Sequence, residues 1–215
     1  MAVTIKSARE IELMREAGKI LAKTHEELAK ALRPGMSTWE IDHLGEEIIR
    51  SYGCIPSFLN YNGYPASICV SVNDEVVHGI PSKKRILQEG DIVSLDAGVI
   101  YKGYHSDAAR TYGIGEISPE AGKLIEVTRQ SFFEGIKFAK AGNHLNDISS
   151  AIQAYAEQFG YGVVRDLVGH GIGSHLHEDP EIPNFAQRRK GILLRPGMNF
   201  FESGKLAEEL KNAFD

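Results

Sequence analysis

This chain repeats itself at an offset of 107 residues, and that limits its possible folds more than any other feature of the sequence. Gly35, Ile41, Tyr52 and Gly53 recur as Gly142, Ile148, Phe159 and Gly160, and Leu87-Gln-Glu-Gly90 recurs as Leu194-Arg-Pro-Gly197. Chance supplies single matches of this kind, but not an ordered series. The repeat predicts two related halves, about 7–113 and 118–215, each with helices and a strand pair, packed about a pseudo-two-fold axis. It also predicts that whatever Asp96 does has a counterpart near position 203, where Ser203 stands beside Glu202.

Local signals fill in the halves. Ser7-Ala-Arg-Glu10 is a capping box that opens a helix with apolar residues at Ile11, Met14, Leu21 and Leu28, ended by Arg33-Pro34-Gly35. A second helix starts at Ser37 or Thr38, with Glu40 completing the box, and stops at Gly53. The runs Ile68 to Val72 and Val76-Val77-His78 read as strands. Ser118-Pro119-Glu120 caps a helix reaching about Lys140, and another helix covers about Leu145 to Phe159 before Gly160.

Between these lies Asp91 to Tyr112, two strand-like halves joined by a tight turn around Tyr101 and Lys102. With a two-residue turn there, positions summing to 203 face each other, and Asp96 and Asp107 are such a pair. Facing residues hold their Cβ atoms roughly 4.5–5.5 Å apart. Two carboxylates that close repel unless a proton or a cation sits between them. The alternative is structural: a one-residue bulge near Gly103 would send the two to opposite faces.

Composition narrows the classes. At 215 residues the chain suits one large domain or two small ones. A net charge of −5 without a strong basic cluster argues against nucleic acid as the main partner, and Lys83-Lys84-Arg85 reads as a solvated loop. With no run of 18 apolar residues and no signal-like start, the expectation is a soluble cytoplasmic protein. Cys54 and Cys69 form no CxxC motif and read as reduced thiols.

The most unusual stretch is Gly169-His-Gly-Ile-Gly-Ser-His-Leu-His177-Glu178, with three histidines in eight residues from His170 to His177. Imidazoles suit zinc, manganese, iron or cobalt. In an extended segment His175 and His177 share a face while His170 points elsewhere. The competing reading is a flexible glycine-rich loop with incidental histidines. With Asp96 and Asp107, His170 would make a carboxylate-rich donor set, better suited to a co-catalytic pair of ions than to a structural zinc.

Taken together, Asn60-Tyr-Asn-Gly-Tyr-Pro65, Ser67-Ile-Cys69, Val76-Val-His78-Gly-Ile-Pro81, Gly90-Asp-Ile-Val-Ser-Leu-Asp96, Gly103-Tyr-His-Ser-Asp107 and Gly169-His-Gly-Ile-Gly173 resemble the type I methionine aminopeptidases. The resemblance runs from the first helix to about Met198. It implies an α+β pita-bread (creatinase/aminopeptidase) fold, in which two pseudo-symmetric halves share a curved antiparallel sheet covered by helices on one face. It implies two divalent ions (Co, Mn, Fe or Zn) on Asp96, Asp107 and His170, and removal of N-terminal methionine by metal-activated hydroxide. His78 and His177 take the catalytic positions and contact substrate, while Tyr61, Tyr64 and Cys69 line the methionine pocket with Phe58 at its rim. The implied partners are peptides whose methionine is followed by a small residue. The ribosome surface is a candidate partner, no membrane or specific nucleic acid is expected, and the chain is expected to be a monomer. Without the resemblance, His78 reads as a loop histidine, Tyr61 and Tyr64 as turn aromatics and Cys69 as an inert strand residue.

After Met198 the sequence departs from the pattern. A glutamate is expected five residues on, where Ser203 stands, and Glu202 is displaced by one residue, which flips it across a strand. The stretch 204–215 reads as helical or frayed, so the domain spanning 1–215 is expected to be incomplete at its C-terminal end. Under-liganded metals predict weak or lost activity, and a non-catalytic pita-bread protein with partial metal binding is the second reading. A proline-specific peptidase of the same fold fits less well, because of the compact length and the Tyr61, Tyr64 and Cys69 set.

Overall fold

The computed structural model describes residues 3–201 and holds four α-helices and seven strands among them. The chain sorts into two compact units. One is Glu12–Gly122; the other combines the stretch up to Ile11 with the described residues from Lys123 onward.

The Glu12–Gly122 unit contains most of α1 (Ala8–Ala31), then α2 (Thr38–Ser51), β1 (Ile55–Pro56), a 3-10 turn at Tyr61–Gly63, β2 (Ile68–Val72), β3 (Ile92–Tyr101) and β4 (Tyr104–Gly113). Both capping boxes form. The Ser7 amide donates to Glu10 at 2.7 Å, and the Ser37 amide donates to Glu40 at 2.7 Å while Ser37 Oγ accepts from the Glu40 amide at 3.2 Å. Each satisfies backbone donors that have no partner within the helix.

β3 is the axis of an antiparallel sheet. β4 lies along one edge, while β2 and β1 follow each other along the other, against Val93 to Ala97 and Val99 to Ile100. Strand alternation gives this sheet two unlike faces. Val93, Leu95, Ala97 and Val99, with Ile68, Val70 and Val72, pack against Leu21 and Leu28 of α1 and Ile41, Ile48 and Ile49 of α2. Each large aliphatic side chain buried there contributes about 1.5–3 kcal/mol. On the opposite face the register places Cys69, Ser71, Ser94, Asp96, Asp107 and Thr111, and Ser94 and Thr111 hydrogen-bond at 2.9 Å.

Two sequence expectations are corrected here. The turn residues are Lys102 and Gly103, with φ of 48° and 85°, so facing positions sum to 205 and Asp96 opposes Ala109. A two-residue hairpin turn of this hand needs both residues left-handed, and Gly103 supplies the second at no steric cost. Secondly, Val76 to His78 is not a strand. His78 has φ of 58°, which no strand accepts, and the neighbouring Gly79 bonds β2, accepting from the Val70 amide at 3.0 Å.

The second unit carries most of α3 (Pro119–Ile136), then α4 (Leu145–Gln158) and a small sheet of β5 (Gly169–Gly171), β6 (Glu178–Ile182) and β7 (Phe200–Phe201), in the order β6-β5-β7. α3 stops at Ile136, short of Lys140, because the Phe138 and Ala139 amides bond three residues back, at 2.9 Å each, and tighten the last turn. Leu145, Ile148, Ile152, Ile182 and Leu194 form this unit's core.

Hydrogen bonds recur at the offset seen in the sequence. The Gly35 amide donates to Leu87 at 2.8 Å and the Gly142 amide to Leu194 at 3.1 Å; Thr38 donates to Arg85 and Leu145 to Ile192, both at 2.9 Å. The expectations for Glu202, Ser203 and 204–215 lie outside the described residues. Among the described residues, no helix is long and apolar enough to cross a membrane.

Candidate active site

Asp96 and Asp107 come together on the polar face of the first unit's sheet, as diagonal rather than facing neighbours. Asp96 opposes Ala109 on one side and Cys69 on the other, and Asp107 opposes Gly98. Part of Asp96 reaches solvent, but its Oδ1 is sealed and has no hydrogen-bond partner. Burial raises both carboxyls above the ordinary range. The charge of Asp96 raises Asp107 further, and the two side chains lie within hydrogen-bond reach of each other, a contact that needs a proton between them. Arg110 opposes Leu95, on the helix-covered face of the sheet. A buried, unpartnered carboxylate oxygen is costly, and a divalent cation in place of the shared proton removes that cost. Oxygen donors of this kind fit such an ion.

The surroundings of the pair are built from sequence-predicted residues. Burial, then the charge of Asp96, pushes the Cys69 thiol up to about 12, so it is neutral at ordinary pH. Burial and the neighbouring Cys69 likewise raise the Tyr64 phenol. The Tyr64 hydroxyl donates toward the carbonyls of Gly79 at 2.9 Å and Ile68 at 3.2 Å. The Gly79 amide in turn donates to Ser71 Oγ at 3.0 Å. A Cβ at Gly79 would lie 2.7 Å from the Val70 carbonyl carbon, so only glycine lets this strap lie on β2. The strap fixes the backbone next to His78, whose side chain is exposed. Tyr61 is half-buried in the 3-10 turn, following Asn60 with φ of 64°. Phe58 is buried where Gly98 has no side chain: a Cβ there would meet the Phe58 ring at 2.9 Å.

Gly79 and Gly98 are thus positioning residues that sequence reasoning missed. Their signal was a glycine beside a candidate histidine and another two residues after a candidate aspartate. The Ser57–His105 contact, at 3.0 Å, was also missed, and no local pattern announced it.

In the second unit His170 lies on β5 and His177 just before β6, with ring centroids 4.2 Å apart. His170 Nδ1 donates to the Gly171 carbonyl at 2.9 Å, which makes Nε2 the lone-pair nitrogen. Burial, helped against that hydrogen bond by nearby His177, lowers the His170 pKa to about 4, so the ring is neutral and able to ligate a metal. Glu178 is opposed by its own burial, yet bonds from Lys6, Thr4 and the His175 amide hold it below the usual carboxylate range. Among the described residues, no group of three or more His, Cys, Asp or Glu side chains gathers to hold an ion.

The family model for metallopeptidase family M24 matches residues 12–204. The chain is 58% identical to a methionine aminopeptidase of Clostridium acetobutylicum over 91% of this chain and 78% of that protein. The crystal structure of methionine aminopeptidase from Rickettsia prowazekii superposes with a TM-score of 0.90 at 40% identity, covering 93% of this chain and 80% of that one. A Xaa-Pro dipeptidase from Bacillus anthracis is less similar, with a TM-score of 0.78 at 31% identity over 90% of this chain and 52% of that one. The chain belongs to metallopeptidase family M24 and has the pita-bread fold of that family. Within the family it stands with the methionine aminopeptidases, which are metal-dependent hydrolases.

Proposed function

We infer that the chain removes N-terminal methionine from peptides, using divalent metal held by Asp96, Asp107 and His170. The observation that carries this reading is the buried carboxylate pair with the unpartnered Asp96 Oδ1. When bound, divalent ions would polarise the carbonyl of the first peptide bond and lower the pKa of a nearby water. Asp96 and Asp107 give up their shared proton and provide hard oxygen donors, and neutral His170 adds a nitrogen donor. His78 hydrogen-bonds the scissile amide, and His177 stabilises the oxygen on which charge develops. Tyr61, Tyr64, Cys69 and Phe58 enclose the methionine side chain, with the thiol neutral and so compatible with a thioether. A small residue after the methionine is the expected specificity.

Two ions, drawn from cobalt, manganese, iron or zinc, fit the mixed donor set. The recurring hydrogen bonds support a division into halves of about 7–113 and 118–215. A monomer working in the cytoplasm, at the ribosome surface, is the matching setting. Because Ser203 stands where the resemblance places a glutamate, turnover below that of relatives is expected. The test is methionine release from Met-Ala-Ser with added Co²⁺ or Mn²⁺. Slow release that needs the metal and is lost in Asp107→Asn supports the reading. Release indifferent to the metal or to that substitution overturns it, and turnover equal to a relative's refutes the expected weakness.

A further inference from the structure

The first residues of the chain are spent on an unusual contact. Lys6 is buried and pairs with Glu178, their side chains only 6% and 11% exposed. Lys6 Nζ also contacts Thr4 Oγ1, and Thr4 Oγ1 donates to Glu178 at 2.7 Å. The Lys6 backbone amide donates to the Gly197 carbonyl at 2.7 Å, so both ends of the residue are fixed. On the other oxygen, Glu178 accepts the His175 amide at 3.1 Å, and the Gly173 amide closes the turn onto the His175 carbonyl at 3.1 Å. Lys6 passes directly over Gly173: a Cβ there would run into the lysine side chain and lie 2.6 Å from Glu178 Oε1.

Burying an ion pair costs desolvation that its attraction often fails to recover, and such pairs are better at fixing one arrangement than at stabilising a fold. The arrangement fixed here is the 173–178 turn, and the residue on it next to Glu178 is His177, whose ring lies 4.2 Å from that of His170. We propose that Lys6 is a positioning residue for His177: through Glu178 it locks the turn and holds the His177 ring against His170. Its functional weight rests on the reading of His177 given above, whereas the ring arrangement can be measured without any turnover.

The experiment is NMR of the full chain carrying ring-labelled histidine, comparing the parent with Lys6→Met and Lys6→Arg. The chain has eight histidines, which single His→Gln variants assign. In Lys6→Met the signals of His170, His175 and His177 move, while those of His144, the N-cap of α4 in the same unit, and of buried His25 stay. Lys6→Arg, which keeps the charge, returns the three toward their parent positions. Should Lys6→Met fail to fold, Glu178→Gln carries the same expectation. No movement in the three signals overturns the proposal. So does movement of His144 along with them, or failure of both variants to fold, because the pair would then serve the unit as a whole. A methionine-release assay that fails while the three signals move as expected would count against the role of His177, not against Lys6.

Discussion

Asp96 and Asp107 stand diagonally across the β3–β4 ladder, Asp96 opposite Ala109 and Asp107 opposite Gly98, and still share a hydrogen bond. The diagonal leaves more room than direct opposition would. Facing Cβ atoms sit about 4.5–5.5 Å apart and diagonal ones up to roughly 7–8 Å. Two carboxylates at the wider spacing can each turn an oxygen toward a common ion.

Asp107→Asn supplies a neutral hydrogen-bond donor to Asp96 without the proton that the carboxyl pair must bind, and without changing shape. The metal-free protein is expected to melt several degrees higher at pH 7, read by calorimetry with chelator present. The sign follows from linkage: both folded pKa values are raised, so the pair's contribution is present at low pH and is lost as pH rises through about 6 for Asp96. An unchanged or lower melting temperature would show that the pair is not strained when metal-free.

His25 works in the opposite direction. It is buried on α1, bonds the Ala108 carbonyl at 3.0 Å through Nε2, and burial, followed by the charge of Arg110, lowers its pKa to about 4. Unfolding lets it take up a proton below its ordinary value, so its stability contribution is present above about pH 6.5 and is lost as pH falls toward 4. Between pH 7 and 5 the loss is about 2 kcal/mol. Urea titrations of the parent and His25→Gln at the two pH values should differ by this amount; equal slopes with pH would contradict it.

Gly79→Ala pushes a methyl into the backbone of Val70 and Ser71. A cost of about 1–3 kcal/mol is expected. Methionine release should fall further than stability does, because the strap beside His78 lifts off β2. Equal activity per folded molecule would separate Gly79 from His78.

Lys102 sits at φ of 48° in the hairpin turn. Lys102→Gly relieves that conformation and Gly103→Ala creates the same conflict, with expected changes of about 0.5–1 kcal/mol in opposite directions. Chemical denaturation of the two variants checks the pair of signs.

The elements that sequence revealed are the ones encoded by near neighbours. Ser7 with Glu10 and Ser37 with Glu40 write their helix starts within four residues, and the repeat shows through glycines such as Gly35 and Gly142, with φ of 88° and 97°. The hairpin was legible, but its register was not. Lys102 carries no turn signal of its own, and placing the turn one residue early at each position shifts every facing pair. The polar face was legible as aspartates and opaque as packing, since nothing in the residues around Gly98 says that Phe58 will fill its space. The Lys6–Glu178 pair joins residues 172 positions apart and could not be read locally at all.

Metal binding by the aspartate pair is measured most directly by calorimetric titration of Mn²⁺ or Co²⁺ into the chelator-stripped protein. Binding should release protons near pH 6–7, because the ion displaces the proton shared by Asp96 and Asp107, and it should vanish in Asp107→Asn. Two sites per chain would mark a full dinuclear centre, and one weaker site a partial one. No binding, or the same isotherm in Asp107→Asn, would contradict the assignment.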